Sequence, residues 1–421
     1  MTAFASPSSP PGIGEYHVAL AGPVLSQPLA ELAESATLLP PPSAGALVWQ
    51  LATDLRSRGL TVSVVTHDQS AAGSTTIKTA EGLTIVAGPF RPRHRMRDFM
   101  RVERDVVRDG IRSVGPDIVH AHWCYEYALG ALASGVPTLV TVHDWIPAVV
   151  RHMEWRYLPY WSGRAVLYFL ALARARHLTA VSPYSAEKVR PFTRAAVEVI
   201  PNGIDDAVFR PPADHRSESL PHESGALLSA NNAFGPLKNM KRLLKAFKML
   251  RQRHDGSLLR LAGTGYEPGG PCDTWARAEG LDDHVEFLGP LQRDALLGQM
   301  RDAVALVHPS LEENMPLTVI EAMSQGLPVI GGVRSGGVPW VLDRGEAGLL
   351  VDVTDAAAIA AGMDVLLEES ELRQRLAKRG YQRAWENFRQ SRVTDLYLDA
   401  YGRVLAEERT GRGGYRRSHL P

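Results

Sequence analysis

Two glutamates bracket a short helical stretch in the second half of the chain. After the apolar run AVALVHPS come Leu311, Glu312, Glu313, Asn314, Met315, Pro316, Leu317, Thr318, Val319, Ile320, Glu321, Ala322 and Met323. Pro316 suits the first turn of a helix, where a missing N–H has no intrahelical partner to lose. Gly326 suits its end. Glu313 then falls in the loop ahead of the helix and Glu321 inside it. A helix start offers free backbone N–H groups and the positive end of the macrodipole, which together favour an anion such as a diphosphate. Phosphate would repel carboxylates, so the two acids should meet hydroxyls instead: Glu313 those of a sugar ring, Glu321 both hydroxyls of a ribose. The competing reading is a surface helix with ordinary solvated acids, because acidic residues near helix starts are common.

Other clusters invite a chemical reading with less force. His120 and His122 in DIVHAHW alternate along a strand and share a face. A His-x-His pair can ligate a metal, but no third ligand is in view, so a structural or acceptor-side role is expected. No Asp-x-Asp pair stands in a convincing metal-binding context. The basic run from Arg91 to Ser113, RPRHRMRDFMRVERDVVRDGIRS, can be drawn as a helix lying on an anionic membrane or meeting a charged acceptor. Its interspersed acids and few bulky apolar residues favour a solvated surface helix, with weak peripheral membrane contact at most. Cys124 and Cys272 lie far apart without C-x-x-C spacing and read as reduced thiols.

These residues need a frame to hold them. From Tyr16 onward, short apolar, β-branched runs alternate with helix-like stretches, the pattern of a parallel α/β sheet. HVALAGPV, VSVVTH, LTIVAG, DIVHAHW, TLVTVHD, LTAVS and VEVIP are the strand candidates of the first half; ALLSAN, LLRLAG, VEFLG, AVALVHPS, LPVIGG and GLLVD are those of the second. Leu47, Leu51 and Leu55 recur at four-residue spacing ahead of Gly59, predicting a helix and its C-cap. The proline- and charge-rich segment 211–224 predicts a linker. Domain boundaries follow at 1–210, completed by an amphipathic C-terminal helix over about 392–410 with Leu396, Tyr397, Ala400 and Val404 on one face, and at 225–391. A length of 421 residues exceeds what one core usually covers, which agrees with two domains.

Equal counts of 46 basic and 46 acidic residues leave no net field to draw the chain to nucleic acid. MTAFASPSSPPGIGEY lacks a basic and an apolar signal region, and no apolar run approaches the roughly 20 residues of a membrane span. The sequence therefore reads as cytoplasmic.

The segment from Glu313 to Glu321 resembles the Glu, seven residues, Glu signature of glycosyltransferase family 4. The resemblance extends through GLPVIGGVRSGGVPWVLDRGEAGLLVD and VIPNGIDDAVF, and through SAGALVWQLATDLRSRGLTVSVVTH, DIVHAHW, TVHD, KNMKRLLKAF, LRLAGTG and VEFLGPL. It runs in consistent order over about residues 40–405. What it implies is the GT-B architecture, two Rossmann-like domains facing across a cleft with the C-terminal helix crossing back to the N-terminal domain. It also implies a hexosyltransferase-type reaction that retains anomeric configuration and uses a nucleotide-diphosphate sugar as donor, with neither metal nor cofactor. The acceptor would be a carbohydrate, a lipid-linked molecule or a small molecule, bound by N-terminal loops.

By the same resemblance, Glu313 contacts the donor sugar, Glu321 holds the ribose and Lys238 binds the diphosphate. His143 matches the active-site histidine, and Gly45 belongs to the loop that approaches the diphosphate. Leu291, Leu317 and Thr318 complete the donor-binding set, the amides of the last two facing phosphate. The chain departs from the pattern at four places: Asn231, Asn232 and Ala233 stand where an arginine is expected before Lys238, Pro316 replaces a glycine, Trp340 a glutamate and Ala44 a glycine. The alternatives are a sugar-nucleotide-binding protein with little or no transferase activity, and an epimerase on the same frame.

Overall fold

The computed structural model describes residues 16–24, 46–68, 73–78, 82–151, 153–211 and 226–412. Gly45 and the expected linker beyond Pro211 lie outside them. The chain divides into two compact units. The first takes residues up to Ala180, Ala186–Ile200 and those from Val393 on; the second takes Val181–Ser185 and Pro201–Arg392.

The first unit is built on eight strands: β1 (His17–Ala21), β2 (Thr61–Asp68), β3 (Thr75–Lys78), β4 (Thr84–Pro89), β5 (Ile118–His122), β6 (Thr138–Val142), β7 (His177–Ala180) and β8 (Val197–Val199). They run in the order β3-β4-β2-β1-β5-β6-β7-β8, all parallel except β3, which pairs antiparallel with β4. The second unit has β9 (Ala226–Ala230), β10 (Leu258–Ala262), β11 (Val285–Gly289), β12 (Ala305–His308), β13 (Val329–Gly332) and β14 (Leu349–Val351), all parallel, in the order β11-β10-β9-β12-β13-β14. Numbered within the unit this is 3-2-1-4-5-6, the doubly wound order whose direction of winding reverses between β9 and β12. Each apolar run read from the sequence is one of these strands. They read so clearly because β1, β5, β6, β9 and β12 are buried on both faces. The strand the pattern misses is β3: its sequence TTIK is short and polar, and Thr75 and Thr76 lie exposed at the sheet edge.

The helices follow the expected periodicity. Helix Ala46–Ser57 buries Leu51 and Leu55 and ends before Gly59 at φ 89°. Helix Leu317–Ser324 begins one residue later than the proline placement suggested, with Pro316 in an extended conformation as its cap (ψ 99°). Helix Gln390–Arg412 lays Val393, Tyr397, Ala400, Tyr401 and Val404 into the same apolar cluster as Val18, Leu20 and Trp49, so the first unit closes its core with the end of the chain.

The boundary between units falls at Ile200, ten residues ahead of the position read from sequence. Backbone bonding explains the difference. The Ile204 amide donates to Phe388 O (2.9 Å), the Arg210 amide donates to Ser324 O (2.9 Å), and Phe209 packs edge-on to Trp385.

In the basic run, Arg91 clamps Asp98 (2.8 Å) and the fully buried Glu103 (2.7 Å), and Arg108 meets Asp105 (2.6 Å) and Asp109 (2.8 Å). Much of its positive charge is thus matched by acids of the same stretch. Cys124 and Cys272 are buried and unpaired. No helix among the described residues is long and apolar enough to cross a membrane.

One polar network crosses the first unit's core. Fully buried His120 pairs through Nδ1 with the Tyr401 hydroxyl (2.8 Å) and through Nε2 with Thr141 Oγ1 (2.6 Å), which in turn meets Thr179 Oγ1 (2.6 Å). Burial, reinforced by the neighbouring His122 and His143, pushes the imidazole well below its ordinary value, so it stays neutral and needs both partners. Tyr401→Phe leaves one ring nitrogen buried and unbonded. The variant is expected to lose about 1–3 kcal/mol in urea unfolding; an unchanged midpoint would show that this contact does not secure the helix.

Candidate functional site

The reversal between β9 and β12 brings together the loops that follow those two strands, the place where open parallel sheets gather ligand-binding groups. The β9 loop ends in a 3₁₀ turn, Pro236–Lys238, followed by Asn239 in the left-handed region (φ 57°) as the cap of helix Met240–Arg251. Buried Asn239 ties three segments together, its amide donating to Pro309 O (3.1 Å) and Val353 O (2.8 Å). The Leu311 amide donates to Leu237 O (2.9 Å), so the two loops are zipped by backbone as well.

This arrangement puts Lys238 and Glu313, distant in sequence, side by side. Lys238 Nζ donates to Glu313 Oε1 at 2.6 Å, and His308 Nε2, at the end of β12, stands 3.4 Å from the same oxygen. Burial by itself would raise the Glu313 carboxyl. The contact with His308 and the charge of Lys238 outweigh it and hold the group at about 2, so it is ionised at neutral pH. Glu321 has the opposite balance: burial lifts it above the ordinary range, and Arg293, 3.8 Å away, only partly opposes that.

The loop carrying Glu313 is held on its far side by glycines. Gly337 N donates to Glu313 O (2.7 Å). A Cβ on Gly336, which sits at φ 60°, would lie 2.3 Å from Glu313 O, and one on Gly337 would lie 2.2 Å from Asn314 O. Tyr184 donates to Glu312 and Ser185 Oγ to Asn314 Oδ1 (3.0 Å), fixing both flanking side chains. Beyond the loop, Val319 and Ile320 donate to Pro316 O, while the amides of Leu317 and Thr318 meet no acceptor among the described residues. That is a cation, an ionised acid and a helix start with two free N–H groups in one place. Leu317 and Leu291 both pack half-buried against the apolar cluster containing Val319 and Leu297, each leaving part of its side chain exposed.

His143 belongs to the first unit, just beyond β6. Its Nε2 meets His122 Nδ1 at 2.9 Å, and its ring stacks on Trp123 with centroids 4.3 Å apart. Trp123 has φ 65°, a strained value for so bulky a residue. Burial holds both imidazoles neutral, with His122 at about 3 and His143 also well below its ordinary value. A neutral pair shares one proton across its contact, so the tautomer of His122 sets which role remains for His143 Nδ1, a nitrogen buried without a partner.

Sequence reasoning missed His308, Arg293, Tyr184, Ser185 and Asn239 as members of these constellations, and paired His122 with His120 and not with His143. Two carried a signal: His308 ends the strand that leads into the Glu313 loop, and Asn239 sits where a helix begins. The remainder depend on contacts between distant segments.

Residues 212–383 match the family described as glycosyl transferases group 1, and residues 44–208 match that described as glycosyltransferase family 4. A D-inositol 3-phosphate glycosyltransferase of Salinispora tropica is 30% identical over 332 residues, 72% of this chain and 67% of that protein. Among solved structures, the sucrose-phosphate synthase of Thermosynechococcus elongatus aligns with a TM-score of 0.74 at 20% identity, covering 93% of this chain and 100% of that one. HepE of Anabaena, solved in complex with UDP and glucose, aligns with a TM-score of 0.65 at 16% identity, covering 92% and 100%. The fold shared with these structures is GT-B.

Two outcomes follow for the Glu313 loop. Gly337→Ala forces the backbone at Asn314 to move and is expected to cost about 1–3 kcal/mol in chemical unfolding; a wild-type midpoint would mean the loop yields freely. Glu313 titrates lower in the folded chain than its ordinary value of 4.5. The unfolded chain therefore binds more protons below that pH, and the stability Glu313 contributes is present above 4.5 and lost as the pH falls toward about 2. Glu313→Gln should flatten this acid limb of a stability–pH profile; a limb of unaltered slope would contradict the assignment.

Proposed function

Because the chain belongs to glycosyltransferase family 4, and is therefore a glycosyltransferase, we propose that it moves a hexosyl unit from a nucleotide-diphosphate sugar to an acceptor hydroxyl, retaining anomeric configuration and using no metal or cofactor. The observation that carries this reading is the Lys238–Glu313 pair at the winding reversal of the second unit, next to a helix start whose Leu317 and Thr318 amides are free. The UDP and glucose held by HepE, and the phosphorylated acceptor in the name of the Salinispora relative, agree with a nucleotide-sugar donor and a small hydroxylated acceptor.

In this reaction the acceptor oxygen attacks the anomeric carbon from the side on which the diphosphate departs. The new C–O bond forms as the bond to the β-phosphate oxygen breaks, and that oxygen takes the acceptor's proton. Charge builds on the leaving diphosphate. The Lys238 ammonium and the amides of Leu317 and Thr318 stabilise it, a preorganised arrangement that does what a bound metal does in other transferases. Glu313, ionised at working pH, accepts hydrogen bonds from sugar hydroxyls and orients the ring. Glu321 accepts from the ribose, Leu291 offers apolar surface to the nucleoside, and Gly45 lets backbone approach the diphosphate. His143 is assigned to the sugar by its motif and by its unpartnered Nδ1.

A panel of nucleotide sugars, followed for slow donor hydrolysis and for transfer to hydroxylated acceptors, tests the reading. Glu313→Ala and Lys238→Ala are each expected to lower kcat/KM by about 10²–10³-fold. Glu321→Ala should act mainly on the donor KM. NMR of the product should show the donor's anomeric configuration. Inversion at that carbon, or near wild-type turnover in Lys238→Ala, would overturn the proposal.

A further inference from the structure

The contact between His122 and His143 leaves one nitrogen over at each end. His122 Nδ1 and His143 Nε2 lie 2.9 Å apart, while His122 Nε2 and His143 Nδ1 are both buried without a hydrogen-bond partner among the described residues. Folded proteins leave few such atoms, since each forfeits its hydration without recovering a bond. Two neutral imidazoles hold two ring protons between them. One lies in the contact, so the other sits on one of the two outer nitrogens. Either His122 donates and His143 carries Nδ1–H, or His143 donates and His122 carries Nε2–H.

The surroundings separate the two arrangements. His122 is 2% exposed, on a strand whose five residues are all buried. Its Cδ2, the carbon bonded to Nε2, faces the end of β1: a Cβ built on Gly22 would lie 3.8 Å from that carbon and 3.0 Å from Val48 Cγ2. His120 closes another side, its ring centroid 4.1 Å from that of His122, and both its own nitrogens are committed to Tyr401 and Thr141. These neighbours offer His122 Nε2 no acceptor. A bare lone pair costs less there than an N–H group, as a buried N–H without an acceptor is the rarer of the two defects. His143 stands differently. It is half-buried, in the loop beyond β6 at the carboxyl end of a parallel strand, where ligands of such sheets bind. An N–H on its Nδ1 stays unbonded only until a ligand oxygen arrives.

Trp123 sets the plane of the His143 ring. Its φ of 65° holds a bulky residue in the left-handed region, and its amide donates to Thr141 O at 3.1 Å. That turn lays the indole on the imidazole, with centroids 4.3 Å apart and planes 28° from parallel. Strain of this kind persists only where the surrounding structure over-determines it, and it gathers at functional sites. The stack restrains the tilt of the ring, and the contact with His122 fixes which nitrogen is turned inward.

We infer that His122 is a positioning residue: it donates Nδ1–H to His143 Nε2, holds the proton of His143 on Nδ1, and so makes that imidazole a hydrogen-bond donor to a substrate oxygen. This rests on the transferase reading and deepens it. A nitrogen that already carries hydrogen cannot take another from the acceptor hydroxyl, so His143 is not the base of the reaction. The acceptor's proton still goes to the β-phosphate oxygen, and the pair itself neither gains nor loses one.

Nitrogen NMR of the full-length protein, isotope-labelled at histidine, reads the tautomers directly, because protonated and bare ring nitrogens resonate far apart. The His143 signals are those lost in His143→Asn. Wild type is expected to show His143 protonated at Nδ1 and bare at Nε2. His122→Gln carries its amide out to the Nε2 position and should leave His143 as a mixture of tautomers. His122→Asn keeps an amide at the Nδ1 position and should restore the single form. With an active nucleotide-sugar donor, kcat should fall about tenfold in His122→Gln and recover most of that loss in His122→Asn. A role in folding alone would lower the melting temperature of His122→Gln and leave the tautomer of His143 as it is in wild type. That result, or a wild-type His143 protonated at Nε2, would overturn the inference. Nucleotide-sugar turnover by a protein whose His143 is protonated at Nε2 leaves the transferase reading standing and this one refuted; the expected tautomer in a protein that turns over no nucleotide sugar does the reverse.

Discussion

The ion pair between Lys238 and Glu313 is the constraint around which the second unit's ligand end is arranged. Each partner alone would be a half-buried charge, costly to keep. Together, with His308 beside them, they are satisfied, and the lysine's long flexible side chain is held in one direction. The pair exists because the strand order brings the β9 and β12 loops next to each other. Asn239 and the Leu311–Leu237 backbone bond keep those loops at one spacing, so side-chain geometry is inherited from the sheet. In the proposed reaction a diphosphate arriving there would meet a cation already aimed and amides already unbonded, with little reorganisation left for the moment of reaction.

Glu313 needs support from behind as well as a partner in front. Gly336 and Gly337 supply it by allowing two backbones to approach more closely than any side chain permits. Tyr184 and Ser185 add to it from a segment that lies between two stretches of the first unit in sequence yet packs with the second. The domain boundary that looks simple along the chain is therefore interleaved in space. A short piece near residue 183 and the residues after Ile200 are recruited by the loop they stabilise.

The physical reasons for legibility differ from level to level. Strands buried on both faces announce themselves as unbroken apolar runs, so the doubly wound class could be read from the first unit's HVALA and IVHAH as readily as from the second unit's ALLSA. Exposed β3 had no such signal, being held by its bonds to β4 and not by what its side chains bury. Helix Leu317–Ser324 and the acids around it were legible because capping residues and spacing are local. The partners that set the ionisation of those acids were not. Nothing near Glu313 in sequence specifies Lys238, and nothing near Glu321 specifies Arg293, because those distances are consequences of strand order. Gly45 was named on its motif and lies outside the described residues, so its contribution rests on sequence reasoning.

The two units use burial in opposite electrostatic senses. In the second, burial of Glu313 is overridden by the His308 contact and the Lys238 charge, and the group stays charged; in the first, nothing overrides it, and His120, His122 and His143 remain neutral. That contrast suits the proposed chemistry. A departing diphosphate requires fixed positive charge, whereas a neutral imidazole beside the sugar adds no second cation to compete with Lys238 for it.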